Sequence, residues 1–278
     1  MKKRFPAAVL AGILVFGAVG CGREVEKSGQ EEVELTVFAA ASLTETLNEI
    51  GEIYMEENPH IRLQFNFDSS GTLKTQIQEG ADCDLFLSAA QKQMDQLDAR
   101  SGKEKNPEGL DFVLEDTRID LLENQVVLCT DPADEGAVES FEEMAKALRE
   151  GRILLGMGNA DVPVGQYTGE ILKFYGLSEE ALAAEGLISY GTNVKEVTAQ
   201  IAEGSVDCGV IYSTDASAAG LSITERASGE MCSQALYPAA VMKNSGQIEE
   251  AREFLAWLQG EEAMEVFQSA GFKKAACK

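Results

Sequence analysis

Leu35-Thr36-Val37-Phe38-Ala39-Ala40-Ala41-Ser42-Leu43-Thr44-Glu45 opens an alternation that decides the fold class. Leu35 to Ala40 is an apolar run of strand length. Leu43, Leu47, Ile50 and Tyr54 then recur at helical spacing until Asn58-Pro59 stops them. Leu63 to Phe67 reads as a second strand, Leu73 to Gln78 as a short helix, and Asp84 to Ser88 as a third strand. Strands that alternate with helices predict an α/β fold with a parallel sheet covered by helices.

Outward from this unit, residues 100–120 are charged and irregular, with Asn106-Pro107-Glu108-Gly109 marking a surface excursion or a domain edge. A second alternating unit follows. Gln125 to Thr130, Ile153 to Gly156, Leu187 to Tyr190 and Gly209 to Tyr212 read as strands, with helices over 141–149, 165–175 and 194–203. Tyr237 to Met242 is a further strand, and helices over 248–258 and 261–270 end the chain. Two α/β lobes with a ligand cleft between them are the simplest architecture.

The formal net charge of −24, with no dense Lys/Arg cluster after residue 4, argues against nucleic acid as a partner. An anionic ligand would be opposed by that field, so local dipoles would have to attract it. At the N-terminus, Lys2-Lys3-Arg4, the apolar run Phe5 to Gly20 and the small residues before Cys21 carry an export signature. Ala18-Val19-Gly20-Cys21 resembles a bacterial lipobox, with Ala18 where Leu is usual. It implies a signal peptide over 1–20, lipidation of Cys21, and a polar tether over 22–32; a plain cleaved signal peptide is the alternative. The remaining cysteines, Cys83, Cys129, Cys208, Cys232 and Cys277, are odd in number and form no C-x-x-C motif. The single His60 stands beside Pro59, which speaks against a zinc site and against a Cys–His nucleophile pair.

Chemistry concentrates at four strand-to-helix junctions: Ala39 to Glu45, Asp68 to Thr72, Asp161 to Tyr167, and Gly191 to Glu196. Ser42 with Glu45 fits an S-x-x-E capping box, Pro163 suits a first helical turn, and Asn193 with Glu196 again suits a cap. A helix start leaves backbone N–H groups unpaired and carries about half a positive charge, so several such ends can hold an anion without Lys or Arg. Each junction taken alone reads equally well as an ordinary cap.

Together with Ser69-Ser70-Gly71-Thr72-Leu73, Asp84-Leu85-Phe86-Leu87-Ser88-Ala89, Val162-Pro163-Val164-Gly165-Gln166-Tyr167, Gly209-Val210-Ile211-Tyr212-Ser213-Thr214-Asp215-Ala216, Tyr237-Pro238-Ala239-Ala240-Val241 and Gly271-Phe272, the opening stretch resembles the molybdate-binding proteins, with the motifs in family order. The resemblance implies a two-lobed, type II periplasmic-binding-protein-like fold. Residues 33–123 with 238–278 would form lobe 1, residues 124–237 lobe 2, and the C-terminal helices would pack back on lobe 1. It further implies a tetrahedral oxyanion, molybdate and also the similarly sized tungstate, held by the hydroxyls of Ser42, Ser70 and Tyr212 and the amides of Val164 and Val194. Ser69 is the neighbour that could take Ser70's place, and Tyr190-Gly191-Thr192 departs from the family's Ala-Pro pattern before Val194. The same resemblance implies no cofactor, no directly bound metal and no catalysis. It implies a monomer at the outer face of the cytoplasmic membrane, with an ABC permease and its ATPase as partners. A same-fold protein for another oxyanion such as sulfate, a lipoprotein sensor without a transport role, and a Cys-dependent enzyme on a two-lobed scaffold are the alternatives; oxyanion competition, neighbouring genes and the isolated His60 discriminate them.

Overall fold

The structure is a computed structural model that describes residues 32–133 and 138–276. The expected signal peptide, Cys21, nearly all of the tether 22–32 and Cys277 lie outside the described residues.

The first sheet starts with β1 (Val33–Ala40), whose inner residues are buried on both faces, as a helix-covered sheet requires. A single 3₁₀ turn (Ala41–Leu43) leads into α1 (Thr44–Glu57), which turns Leu47, Ile50 and Tyr54 inward. β2 (Ile61–Asp68), α2 (Ser70–Gln78) and β3 (Leu85–Leu87) follow, and β1 pairs in parallel with both β2 and β3. Next come α3 (Gln91–Leu97) and a short α4 (Gly102–Lys105). β4 (Ile119–Asn124) was not legible at the end of the irregular stretch 100–120. It holds only three apolar residues, Ile119, Leu121 and Leu122, too few for a periodicity argument, and its partner lies far along the chain.

At Asn124-Gln125 the chain passes into the second sheet through β5 (Val126–Thr130). That sheet adds β6 (Leu155–Gly158), β7 (Ile188–Gly191), β8 (Cys208–Tyr212) and β9 (Ser222–Arg226). Its helices are α5 (Phe141–Arg149), α6 (Pro163–Phe174), α7 (Glu179–Ala184), α8 (Val194–Ala202) and α9 (Ser213–Ala219). The order is β7-β6-β8-β5-β9. The chain returns through β10 (Ala235–Val241), which enters the first sheet from Ala235, ahead of the expected return at 238. The first sheet is then β11-β4-β10-β3-β1-β2, with β11 (Lys273–Lys274) at its edge.

Neither sheet is purely parallel. β10 runs antiparallel to β3 and β4, and β5 antiparallel to β8 and β9. A strand that arrives directly from the other sheet has no covering helix in between, so it enters in the opposite sense to the βαβ strands.

α10 (Ile248–Trp257) and α11 (Glu261–Ser269) pack on the first sheet's side. Tyr54 of α1 meets Phe254 at 4.7 Å and Trp257 at 5.3 Å between ring centroids. Such pairs add about 0.5–1.5 kcal/mol each beyond area burial. Cys83, Cys129, Cys208 and Cys232 are buried free thiols. Burial pushes them up, to about 12 for Cys129 and Cys208 and about 11 for Cys232, so they pack as small hydrophobes.

Candidate functional site

The helix starts of both sheets meet at one small cavity. Ala40, Ala41, Ser42, Asp68, Ser69, Ser70 and Ala89 line it from the first sheet's side, and Val162, Pro163, Val164, Val194 and Tyr212 from the second's. Ser42, Ser70, Val164, Val194 and Tyr212, named from the sequence, are therefore brought together. The space is about 10 Å³, on the order of one water-sized sphere. No Lys or Arg lines it, and the Asp68 carboxylate there accepts the Ser69 N–H at 2.7 Å.

Local hydrogen bonding leaves particular amides without partners. In α6, Pro163 has no N–H, while the Gly165 and Gln166 amides both donate to the Val162 carbonyl. Val164 is thus the remaining donor of that first turn. In α8, Asn193 caps through its side chain, accepting the Glu196 amide at 3.0 Å, and its carbonyl accepts the Val197 amide. The Val194 amide, at the first helical position, has no acceptor a turn behind it. Ser69 is the cap of α2, its hydroxyl accepting the Thr72 amide at 3.2 Å, while Ser70, fully buried, lines the cavity beside it and accepts the Ala89 amide through its Oγ at 2.9 Å.

Ser42 departs from the sequence reading. No capping box forms: neither the 3₁₀ turn nor α1 carries a side-chain cap, and Glu45 instead reaches Lys195 of α8 at 2.7 Å. The 3₁₀ turn rotates Ser42 away from the cap position. Its Oγ lies 2.9 Å from the Tyr237 hydroxyl. The Tyr212 hydroxyl, in a fully buried side chain, stands near the Tyr237 hydroxyl but makes no hydrogen bond of standard geometry among the described residues. Burial first, then the neighbouring Tyr237, Tyr167 and Asp215, hold that phenol far above its ordinary range, so it stays a neutral donor.

Close approaches join the two sides. The Gly71 amide donates to the Asp161 carbonyl at 3.1 Å, and a Cβ at Gly71 would stand 2.2 Å from that oxygen. The Tyr167 hydroxyl donates to the Ala89 carbonyl at 3.4 Å. Lys195 also lies 3.2 Å from Asp215 Oδ1, within ion-pair range although not aligned as a hydrogen bond. Burial raises the Asp215 carboxyl to about 6, with Lys195 opposing and Glu45 adding to the rise. Gly165 is needed for packing, since a Cβ there would meet the Gly158 carbonyl at 2.2 Å. Sequence reasoning missed Asn124, Gly71 with Asp161, and Lys195 with Glu45. Each pairs residues distant in the chain, and no local pattern announces them. Among the described residues, no group of three or more His, Cys, Asp or Glu is placed to hold a metal ion.

The chain has relatives among known proteins. Residues 35–273 match the family model described as bacterial extracellular solute-binding protein. A Bacillus subtilis protein named as an ABC transporter substrate-binding lipoprotein is 34% identical over 96% of both chains. The molybdate-binding protein ModA of Haemophilus influenzae is 30% identical over 86% of this chain and 89% of its own. A solved substrate-binding domain from Clostridium difficile, titled as that of a molybdenum ABC transporter, is 31% identical with a TM-score of 0.62, covering 87% of this chain and 99% of that one. The fold is accordingly the two-lobed α/β fold of periplasmic binding proteins, and the chain belongs to the bacterial extracellular solute-binding protein family.

Proposed function

We propose that this protein captures molybdate, and tungstate with it, outside the cytoplasm and delivers it to an ABC permease driven by its ATPase. The observation that carries the reading is that Ser42, Ser70, Tyr212, Val164 and Val194 line one cavity whose lining holds no Lys or Arg, and their hydroxyls and amides are the donors it would offer. A desolvated dianion needs several donors and no competing acceptor. Neutral O–H and N–H groups meet that need inside a chain whose formal charge is −24. The names of the Haemophilus and Clostridium relatives support molybdate as the ligand, and that of the Bacillus relative supports a lipid anchor at Cys21.

Ligand entry then requires the halves to part about the strand crossovers at Asn124-Gln125 and before Ala235, with lobe 1 formed by 33–123 and the returning C-terminal part and lobe 2 by the residues between. The protein acts as a monomer, tethered through 22–32. Hydrogen phosphate is rejected because its proton finds no acceptor among the Ser42, Ser70 and Tyr212 hydroxyls and the Val164 and Val194 amides, the Asp68 carboxylate being engaged by the Ser69 N–H. Sulfate carries no proton and is excluded by size alone.

Calorimetry of residues 22–278 with molybdate, tungstate, sulfate and phosphate tests this. Tight binding of the first two with little heat from the others is expected. A protein that binds none of the four, or prefers sulfate, refutes the reading.

A further inference from the structure

The serine hydroxyls at the cavity have a hydrogen-bond direction imposed on them from outside it. Ser70 is the simple case: its Oγ accepts the Ala89 backbone N–H at 2.9 Å. A backbone amide can only donate. The Ser70 oxygen is thereby used as an acceptor on that side, and its own proton is left for the cavity.

Ser42 reaches the same state through a longer chain, anchored at the strand crossover. Asn124 Oδ1 accepts the Gln125 amide at 2.8 Å and the Ser213 hydroxyl at 3.2 Å. Because the Gln125 N–H cannot reverse, the Asn124 side chain cannot be turned end for end. Its Nδ2 therefore faces Thr214 Oγ1 at 2.9 Å and the Tyr237 hydroxyl at 3.3 Å. Thr214 is free to accept, since its own hydroxyl lies against the Asp215 carboxylate at 3.5 Å. The Tyr237 oxygen, once it has received the amide proton, directs its own proton to its other neighbour, Ser42 Oγ, at 2.9 Å. Tyr237 is almost fully buried, and burial keeps its phenol protonated far above the usual range. Ser42, accepting from Tyr237, presents its proton to the cavity.

We propose that Asn124 and Tyr237 are positioning residues that lock Ser42 as a donor, and so set selectivity for fully deprotonated oxyanions over protonated ones. The inference rests on the oxyanion reading above. Asn124 sits where the chain passes from β4 to β5 and also bonds Ser213 and Thr214 at the start of α9, so the lock is built at the crossover itself.

Two near-isosteric variants test it, Asn124→Asp and Tyr237→Phe, with Ser42→Ala as the reference background. Dissociation constants for molybdate and for hydrogen phosphate are measured by calorimetry at pH 8, where both are dianions. Asn124→Asp offers Tyr237 an acceptor in place of a donor. Tyr237 then turns its proton to the introduced carboxylate, Ser42 donates to Tyr237, and a Ser42 lone pair faces the cavity. Molybdate should weaken by about ten- to a hundredfold, the worth of one charge-assisted hydrogen bond. The ratio of phosphate to molybdate affinity should rise at least about tenfold, because a P–OH group gains an acceptor. The added negative charge opposes both dianions alike and cancels in that ratio.

Tyr237→Phe should weaken molybdate in the Ser42 protein by about three- to tenfold and have no further effect in the Ser42→Ala background, since it acts only through that hydroxyl. Equal losses in both backgrounds, or an unchanged phosphate-to-molybdate ratio in Asn124→Asp, with tight molybdate binding by the unaltered protein, overturn the lock and leave the oxyanion reading intact. Failure of the unaltered protein to bind any oxyanion overturns both.

Discussion

Replacing Gly71 by alanine would put a methyl carbon 2.2 Å from the Asp161 carbonyl oxygen and 2.8 Å from the Asp161 Cβ, across the cavity from one half of the molecule to the other. A carbon and an oxygen in contact sit about 3.2 Å or more apart, so the halves must stand off by about 1 Å. The Gly71 N–H to Asp161 carbonyl bond would be lost as well. An anion held between the halves would then have the Val164, Val194 and Tyr212 donors about 1 Å too far away, which carries a hydrogen bond of about 2.9 Å past the useful range. Losing the equivalent of one charge-assisted bond costs about 1.5–3 kcal/mol, or roughly ten- to a hundredfold in Kd. Folding should not suffer in parallel. Gly71 lies in the first turn of α2 with no left-handed φ, and alanine is favoured over glycine in a helix by about 0.5–1 kcal/mol. Calorimetry with molybdate and thermal unfolding of the same ligand-free samples separate the two effects: Kd should rise while Tm holds or rises slightly. A variant that folds normally and binds as tightly as the unaltered protein would show that this approach does not govern binding.

Other outcomes follow from the same geometry. Ser42→Ala should weaken molybdate by about one to two powers of ten, read by competition calorimetry. Gly165→Ala should lower unfolding stability by about 1–3 kcal/mol in urea titration, because α6 cannot move off β6 without repacking a dense core. Lys195→Met removes the pair with Glu45, whose side chain is 62% exposed, and also the cation 3.2 Å from the buried Asp215 carboxylate, so urea titration should show a stability loss of about 1–3 kcal/mol at neutral pH that shrinks as pH falls and Asp215 takes up its proton. Asp215, raised to about 6 by burial, binds more protons folded than unfolded between about pH 4 and 6, so its contribution to stability falls as pH rises through that window. Urea midpoints measured across pH 4–7 should therefore show Asp215→Asn gaining on the unaltered protein as pH increases, and a constant gap would contradict the assignment.

Much of the site was legible along the chain because its parts are local. A strand that ends in small residues, a serine pair, or a proline at the head of a helix each follow from backbone chemistry within a few positions. The motif order carried the two-lobed reading and brought Ser42, Ser70, Val164, Val194 and Tyr212 forward as candidates. Local reasoning failed at Ser42 and Glu45, where an S-x-x-E spacing invites a capping box. The burial available beside Tyr237 and the charge of Lys195 give those two side chains better partners than the helix start does.

The alternation of strand and helix, the acidic surface and the helix-start donors were determined by the sequence alone, since each depends on neighbours a few residues away. The tertiary structure decided everything that needs two distant segments in register. β4 becomes a strand only because β10 lies beside it, and the sheets are mixed because two strands enter from the other half. Gly71 matters only against Asp161, and Asn124 gains a role only where the chain crosses between sheets and Tyr237 comes within reach. Hydrogen-bond direction is a property of a closed network, and no spacing along a chain encodes it.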